Sequence, residues 1–174
     1  MSPYLPFTRP SIDEQTIAEV GEVLRSGWLA SGPYVAKFES ALSSYLGGRK
    51  VLTLASGTAA LEVALMAAGV GHGDEVIVPA MSFAASANVV LRLGAVPIFV
   101  DVDLTSRNLD VAHLEGAISG RTRAIMPVHF AGLPADLDRI HQVARKYALR
   151  VIEDAAHAIG SRHHGRRIGS FGDI

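Results

Sequence analysis

Apolar and polar positions follow two alternating patterns along the chain. Short apolar runs with many β-branched residues predict strands at 51–55, 75–78, 96–100, 124–128 and 150–153. Segments with helical spacing predict helices at 12–25, 34–46, 59–68, 84–93, 110–118 and 137–148. Repeated strand–helix units predict an α/β fold, a three-layer α/β/α arrangement around a mainly parallel sheet.

The predicted elements divide the chain into two portions of one domain. Residues 1–48 form a helical N-terminal segment, and residues 49–174 carry the strands and the remaining helices. The chain has 174 residues, of which 49% are hydrophobic and 19% are charged. This length and composition are typical of a globular domain that can bury a core.

Charge and composition exclude some classes of partner. A formal net charge of -1 argues against a nucleic-acid partner. No apolar run is long enough to span a bilayer, and Met1 leads into polar, proline-containing sequence rather than a signal peptide. The sequence contains no cysteine, which permits a cytoplasmic location. We therefore expect a cytoplasmic protein without a membrane partner.

Two adjacent carboxylates follow the last predicted strand. Val151 and Ile152 end a buried run, and Glu153 and Asp154 come directly after it. Ligands of open α/β sheets bind at the carboxyl ends of the strands, and a buried acid there needs a cationic partner. The protonated pyridine nitrogen of pyridoxal phosphate is such a partner. The alternative is that Asp154 only caps the next helix, and these residues alone leave both interpretations open.

A second candidate site lies between a predicted strand and a helix. Ser56, Gly57 and Thr58 follow the apolar run 51–55 and precede the alanine-rich helix 59–68. Such a turn offers free backbone N–H groups, two hydroxyls and the positive end of a helix dipole, which together suit a phosphate. Gly57 would let the backbone approach the anion closely. The alternative is an ordinary helix N-cap.

The order and spacing of several motifs resemble one enzyme family. They begin at 5–7 (Leu-Pro-Phe) and include 26–33, Ala55–Leu61, 73–79, 100–103, 127–129, Val151–His157 and 168–173. Together they resemble the DegT/DnrJ/EryC1/StrS sugar aminotransferases, which are pyridoxal-phosphate enzymes of fold type I. The resemblance runs from Leu5 to the last residue and implies the N-terminal part of the cofactor-binding large domain.

The resemblance implies a role in cofactor binding for residues from three segments. Asp154 would pair with the pyridine nitrogen, and His157 would approach the phenolic oxygen of pyridoxal 5'-phosphate. Phe83 would stack on the ring, and Ser56, Gly57 and Thr58 would hold the phosphate. A buried core position for Phe83 and a helix-surface position for His157 are the alternatives.

Substrates and partners are also implied by the resemblance. The substrate would be a nucleotide-linked keto sugar, the amino donor an amino acid such as glutamate, and the enzyme a homodimer with its active site at the subunit interface. Trp28, the only tryptophan, would contact the substrate or another subunit. His129 would contact the cofactor or the substrate, and a satisfied buried histidine is the alternative.

The chain departs from the family at the Schiff-base lysine, which in the family follows the Gly172-Asp173 pair. The only lysines are Lys37, Lys50 and Lys146, and none occupies the matching position. The resemblance therefore implies a chain without the catalytic lysine or the C-terminal domain, inactive by itself. A related sugar 3-dehydratase, in which histidine replaces the lysine, and a non-catalytic fragment are the alternative functions.

A metal site is not expected from the sequence. His163 and His164 are adjacent, whereas a metal-binding histidine pair on a helix is spaced i,i+4. Asp101 and Asp103 fall on one face of a strand or turn, where a polar strand exit is favoured over a Mg²⁺ site.

Overall fold

Four parallel strands form the central sheet of the protein. The computed structural model describes residues 5–6 and 8–174, so Phe7 of the first motif lies outside the described residues. The strands are β1 (Glu75–Pro79), β2 (Val96–Val100), β3 (Thr122–Ile125), β4 (Arg150–Val151), β5 (Arg162–His163) and β6 (Arg166–Arg167). The α-helices are α1 (Glu14–Ser26), α2 (Pro33–Tyr45), α3 (Gly57–Ala67), α4 (Ala85–Arg92) and α5 (Leu137–Tyr147).

The strand order of the sheet is β2-β1-β3-β4, and every neighbouring pair is parallel. The chain moves outward from β1 to β2 through α4, and in the opposite direction from β3 to β4 through α5. Because such crossovers are right-handed, this reversal places α4 and α5 on opposite faces of the sheet. Strands β5 and β6 form a separate antiparallel hairpin.

The core consists of two apolar layers, one on each face of the sheet. Alternate residues of a strand point to opposite faces. Val76 and Val78 pack with residues of α3 and α4, whereas Ile77 packs with Ile140 and Val143 of α5. The predicted three-layer α/β/α fold with a parallel sheet is thus confirmed.

Two predicted elements are wrong. Residues 51–55 are not a strand, because the described part of the chain offers them no strand partner; the N–H of Thr53 instead donates to the Glu39 carboxylate at 2.8 Å. Residues 110–118 form two 3₁₀ turns, Val111–His113 and Glu115–Ala117, rather than one helix. A segment this short, interrupted by Gly116, gains little from α-helical pairing.

Element ends near the candidate site differ from the prediction by a few residues. Helix α3 begins at Gly57 rather than at residue 59, because Ser56 acts as its N-cap and accepts the N–H of Ala59 at 3.1 Å. Beyond the short β4, Asp154 still pairs with Val128 in an isolated parallel bridge. None of the helices in the described ranges has the length and hydropathy needed to cross a membrane.

Candidate functional site

A pocket of about 260 Å³ lies where the strand order of the sheet reverses. Strands β1 and β3 are neighbours whose crossovers run in opposite directions, and such a reversal opens a crevice at the carboxyl ends of the strands. The pocket is lined by residues that follow β1, β3 and β4 and by the start of α3: Gly57, Thr58, Leu61, Ser82, Phe83, Ala85, Val128, Phe130, Asp154, Ala156 and His157.

Asp154 is the buried charged group of this pocket. The bridge to Val128 carries its backbone beyond the end of β4, and 7% of the residue is exposed. Its Oδ2 accepts a hydrogen bond from Ser86 Oγ at 2.8 Å, and Oδ1 accepts one from the N–H of Ala156 at 3.3 Å. The predicted helix cap is wrong, because the residues that follow Asp154 form turns rather than a helix, and the Ala156 bond lies within the first of these turns. The Ser86 bond links Asp154 to α4.

No cationic side chain within residues 5–6 and 8–174 forms an ion pair with Asp154. A buried carboxylate is stabilised by hydrogen bonds or by a nearby positive charge. The hydroxyl of Ser86 supplies one such bond. The pocket side of Asp154 can therefore accept a cationic group from a ligand.

The start of α3 also lines the pocket. The first N–H groups of a helix have no acceptor within the helix, and Ser56 Oγ satisfies only that of Ala59. Gly57 does not have a positive φ, and a Cβ added there would meet no atom within 4 Å. Open space in front of Gly57 and Thr58, together with the helix dipole, can accommodate an anion.

Phe83 and His157 also line the pocket. Phe83 precedes α4 and is 77% exposed, so it is not the buried core residue of the alternative interpretation. His157 lies three residues after Asp154 and is also exposed. An exposed aromatic ring beside a pocket offers a flat face on which a planar ligand can stack.

His129 does not reach the pocket, in contrast to its predicted role as a substrate contact. The residue is fully buried: its Nε2 lies 3.1 Å from Glu153 Oε2, and its Nδ1 accepts the N–H of Ala135 at 3.0 Å. Both ring nitrogens are used inside the protein. This placement corresponds to the satisfied buried histidine that the sequence left as the alternative.

Glu153 points away from the pocket, on the side of the chain opposite to Asp154. Its Oε1 accepts the N–H groups of Phe171 at 2.9 Å and Gly172 at 2.6 Å. Burial by itself would raise the pKa of Glu153, but the hydrogen bonds from His129, Gly172, Gly169 and Phe171 outweigh it and hold the pKa below its ordinary value. Glu153 therefore fixes the 169–172 segment rather than a ligand.

The other candidate residues lie around the pocket or away from it. Ser56 caps α3 next to Gly57. Trp28 lies between α1 and α2, does not line the pocket and is 63% exposed. The three lysines do not line the pocket either; Lys37 and Lys146 lie on α2 and α5, and Lys50 precedes the extended segment 51–55.

Sequence reasoning missed two serines next to Asp154. Ser82 lines the pocket, and its Oγ is 2.7 Å from the Oγ of Ser86, which is buried and donates to Asp154. Their i,i+4 spacing at the start of α4 was the available signal. Serine is so common at helix starts that this spacing becomes informative only once the position of Asp154 is known.

Comparison with known proteins defines the family. The profile of the DegT/DnrJ/EryC1/StrS aminotransferase family matches residues 10–174. The chain belongs to this family. Its fold is that of the solved family members, so the fold type I prediction is confirmed along with the family.

Three solved structures illustrate the similarity. DesV from S. venezuelae, in complex with a ketimine intermediate, is 41% identical with a TM-score of 0.87, covering 90% of this chain and 42% of DesV. Spr1654 from Streptococcus pneumoniae, in a PLP-form, is 40% identical with a TM-score of 0.93, and the match covers 97% of this chain and 47% of Spr1654. NtdA from Bacillus subtilis, with bound cofactor PMP, is 43% identical with a TM-score of 0.85, and the match covers 90% of this chain and 35% of NtdA. The chain thus spans less than half the length of each.

Proposed function

We propose that this chain forms the N-terminal part of the cofactor-binding domain of a pyridoxal-phosphate-dependent aminotransferase that acts on a nucleotide-linked keto sugar. Membership of the aminotransferase family supports the reaction class. The pocket at the strand reversal is the part of the chain that would bind the cofactor.

One observation carries this proposal: Asp154 is a buried carboxylate that faces a pocket without a cationic side-chain partner among the described residues. A protonated pyridine nitrogen would supply the missing positive charge. Ser86 holds one carboxylate oxygen of Asp154 in place, so the charge of the side chain is fixed relative to the pocket. The Asp154 carboxylate of the pocket therefore fits the protonated ring nitrogen of the cofactor.

The remaining pocket residues would hold the two other parts of the cofactor. Ser56, Gly57 and Thr58 would bind the phosphate through backbone N–H groups and hydroxyls at the start of α3. Phe83 would cover one face of the ring and exclude water from it. His157 would form a hydrogen bond with the phenolic oxygen. When bound, the cofactor supplies an electron sink for proton removal from the amino donor.

The sugar substrate rests on similarity. Spr1654, of which this chain covers 47%, is described as a candidate sugar aminotransferase. We propose glutamate or a similar amino acid as donor and a nucleotide-linked keto sugar as acceptor. Trp28 offers a broad exposed ring for the sugar nucleotide or for a second subunit.

We further propose that the chain alone does not catalyse transamination. The reaction requires a lysine amine over the cofactor ring. None of the three lysines lines the pocket, and Lys146 is engaged with Glu115 at 2.6 Å. The catalytic lysine would come from sequence outside residues 1–174.

Absorbance titration of the chain with pyridoxal phosphate tests the proposal. We expect weak, reversible binding that is further weakened by Asp154→Asn, because the ring nitrogen then loses its charged partner. After borohydride reduction, peptide mapping should show no stoichiometric adduct on Lys37, Lys50 or Lys146. Equal binding by the wild type and Asp154→Asn would contradict the cofactor site. A stoichiometric lysine adduct with turnover would contradict the requirement for an external lysine.

Two substitutions of Ser56 provide matched controls for the phosphate end. Ser56→Ala removes the N-cap and should cost about 1 kcal/mol of stability, seen in urea unfolding. Ser56→Asp keeps a capping oxygen but adds a negative charge, so it should preserve stability and weaken cofactor binding by about tenfold. If Ser56→Asp binds the cofactor as well as the wild type, Ser56 is only a cap.

The complete enzyme is proposed to be a homodimer with its active site at the subunit interface. Ile17, Val20 and Leu24 lie along α1 and are 53–63% exposed, and Trp28 follows at the end of this helix. A second subunit would cover such an apolar surface. Sedimentation of the active enzyme should give a dimer; an active monomer would contradict this proposal.

A further inference from the structure

A second cluster of chemically active side chains lies outside the cofactor pocket, on the surface formed by α5 and the β5–β6 hairpin. Asp138 belongs to the first turn of α5, and His163 and His164 belong to the hairpin. Asp138 Oδ2 lies 3.2 Å from His163 Nε2 and 2.8 Å from His164 Nε2. One oxygen atom thus faces two imidazole nitrogens.

The hairpin turn explains why two adjacent histidines share one partner. His163 pairs with Arg166, so His164 and Gly165 form a two-residue turn with positive φ angles of 47° and 79°. In a regular strand, adjacent side chains point to opposite faces. Here the left-handed turn brings the two rings to a centroid distance of 4.2 Å on the side of Asp138.

His163 is held in this orientation by its neighbours. Its side chain is 16% exposed, and its ring packs edge-on against Phe171 with centroids 5.5 Å apart. Asp138 is fixed by α5, whose N-cap Asp136 binds the N–H of Arg139. Two of the three side chains therefore come from ordered elements, which lowers the entropic cost of binding a ligand between them.

We propose that Asp138, His163 and His164 form a binding site for a divalent transition-metal ion, with zinc as the best fit. The ligand atoms of the three side chains all lie within 4.8 Å of one another. Tetrahedral zinc, with bonds of 2.0–2.2 Å, spaces its ligand atoms by about 3.3 Å. The separations of Asp138 Oδ2 from the two imidazole nitrogens, 3.2 and 2.8 Å, are close to this value. Rotation of the exposed His164 and Asp138 side chains, which are 73% and 66% exposed, would admit the ion.

The chemistry of the surroundings also favours a cation of this class. Two imidazole nitrogens and a carboxylate suit zinc and its neighbours rather than magnesium or calcium, which prefer oxygen ligands. The cluster lines a groove of about 490 Å³ that also contains Asp103, Asp110 and Asp136. Arg139 is the one guanidinium among the residues lining that groove. Arg145 and Arg166 line a neighbouring groove that Asp138 shares, so four carboxylates, with Asp138 included, face three guanidiniums around the cluster.

Three protein ligands would leave one coordination position open to water or to another ligand. The site is separate from the pocket that contains Asp154, since no residue lines both. It is independent of the proposed function and can be tested without cofactor or substrate.

Calorimetric titration of the metal-free chain with Zn²⁺ tests the site. We expect one equivalent to bind, with affinity at least about tenfold weaker in both Asp138→Asn and His164→Asn. Asparagine tolerates the left-handed turn, so His164→Asn removes the imidazole without straining the hairpin. The matched control is His113→Asn, because His113 is an exposed histidine paired with a single carboxylate, Asp110 at 3.2 Å. This control should bind zinc like the wild type.

A second measurement uses the wild-type chain alone. Addition of Zn²⁺, which is diamagnetic, should shift the ring-proton resonances of His163 and His164 in the NMR spectrum by more than those of His113. The proposal is overturned if zinc binds equally well to the wild type and to Asp138→Asn, if the His113→Asn control loses the same affinity, or if Zn²⁺ leaves both hairpin histidines unshifted. In those cases Asp138 only forms hydrogen bonds with the two imidazoles.

Discussion

Replacement of Asp154 by alanine is expected to lower the turnover of an aminotransferase that carries this chain by about 10²- to 10³-fold, the usual cost of deleting an electrostatic group at a reacting centre. Asp154 is the buried carboxylate of the pocket, and Ser86 holds its Oδ2 at 2.8 Å. Without it, the charge on the ring nitrogen has no partner in the described pocket. The measurement is steady-state transamination, with circular dichroism to confirm folding.

A purely local role for Asp154, the stabilisation of the turn that follows it, can be separated from this electrostatic role. Asp136 is an N-cap of similar chemistry on α5, where its side chain accepts the N–H of Arg139, and it lies outside the pocket. Asp136→Ala should cost about 1 kcal/mol of stability and leave turnover close to that of the wild type. If Asp154→Ala behaves in the same way, with near-normal turnover, Asp154 only stabilises the turn that follows it.

Glu153→Ala is expected to have the second large effect, a loss of folding stability. This substitution removes a buried carboxylate and leaves the N–H groups of Phe171 and Gly172, and Nε2 of His129, without their acceptor. Breaking a buried pair in this way costs about 3–5 kcal/mol. Urea unfolding of the chain should show a loss of this size. A loss below that of an ordinary surface substitution would mean that the 169–172 segment does not depend on Glu153.

The pH dependence of folding stability tests separately whether Glu153 acts through its charge. The pKa of Glu153 is lowered in the folded chain from its ordinary value of 4.5, so its contribution to stability is complete above that pH. This contribution is lost as the pH falls below 4.5 through the folded pKa. Glu153→Gln keeps the shape without the charge, so its stability should fall less steeply in this acidic range. An unchanged slope would contradict a charged Glu153.

Several features were determined by local sequence alone. The parallel α/β fold follows from the alternation of apolar runs and helical segments, and β2 (Val96–Val100) has the predicted bounds. Gly27 ends α1 in a left-handed conformation, as its position after the helical pattern indicates. These features depend on neighbours in the chain, which is why periodicity and turn residues suffice to predict them.

The separation of Glu153 from Asp154 was decided by the tertiary structure. The two residues are adjacent and chemically alike, but alternate side chains beyond β4 point to opposite sides. Glu153 meets His129 and the 169–172 segment, whereas Asp154 meets Ser86 and the pocket. The tertiary structure also decided the position of His129, because the end of a strand does not reveal to which side a side chain points.

The sequence by itself determined the class of fold and the family motifs, and it singled out five residues that line the pocket: Gly57, Thr58, Phe83, Asp154 and His157. Only the tertiary structure placed Ser86 on Asp154, 68 residues away, and brought Asp138 to His163 and His164, 25 and 26 residues away. Local patterns specify which element forms and which face it buries. Which side chains meet across elements depends on strand order and crossover direction, and no short segment of the chain encodes these.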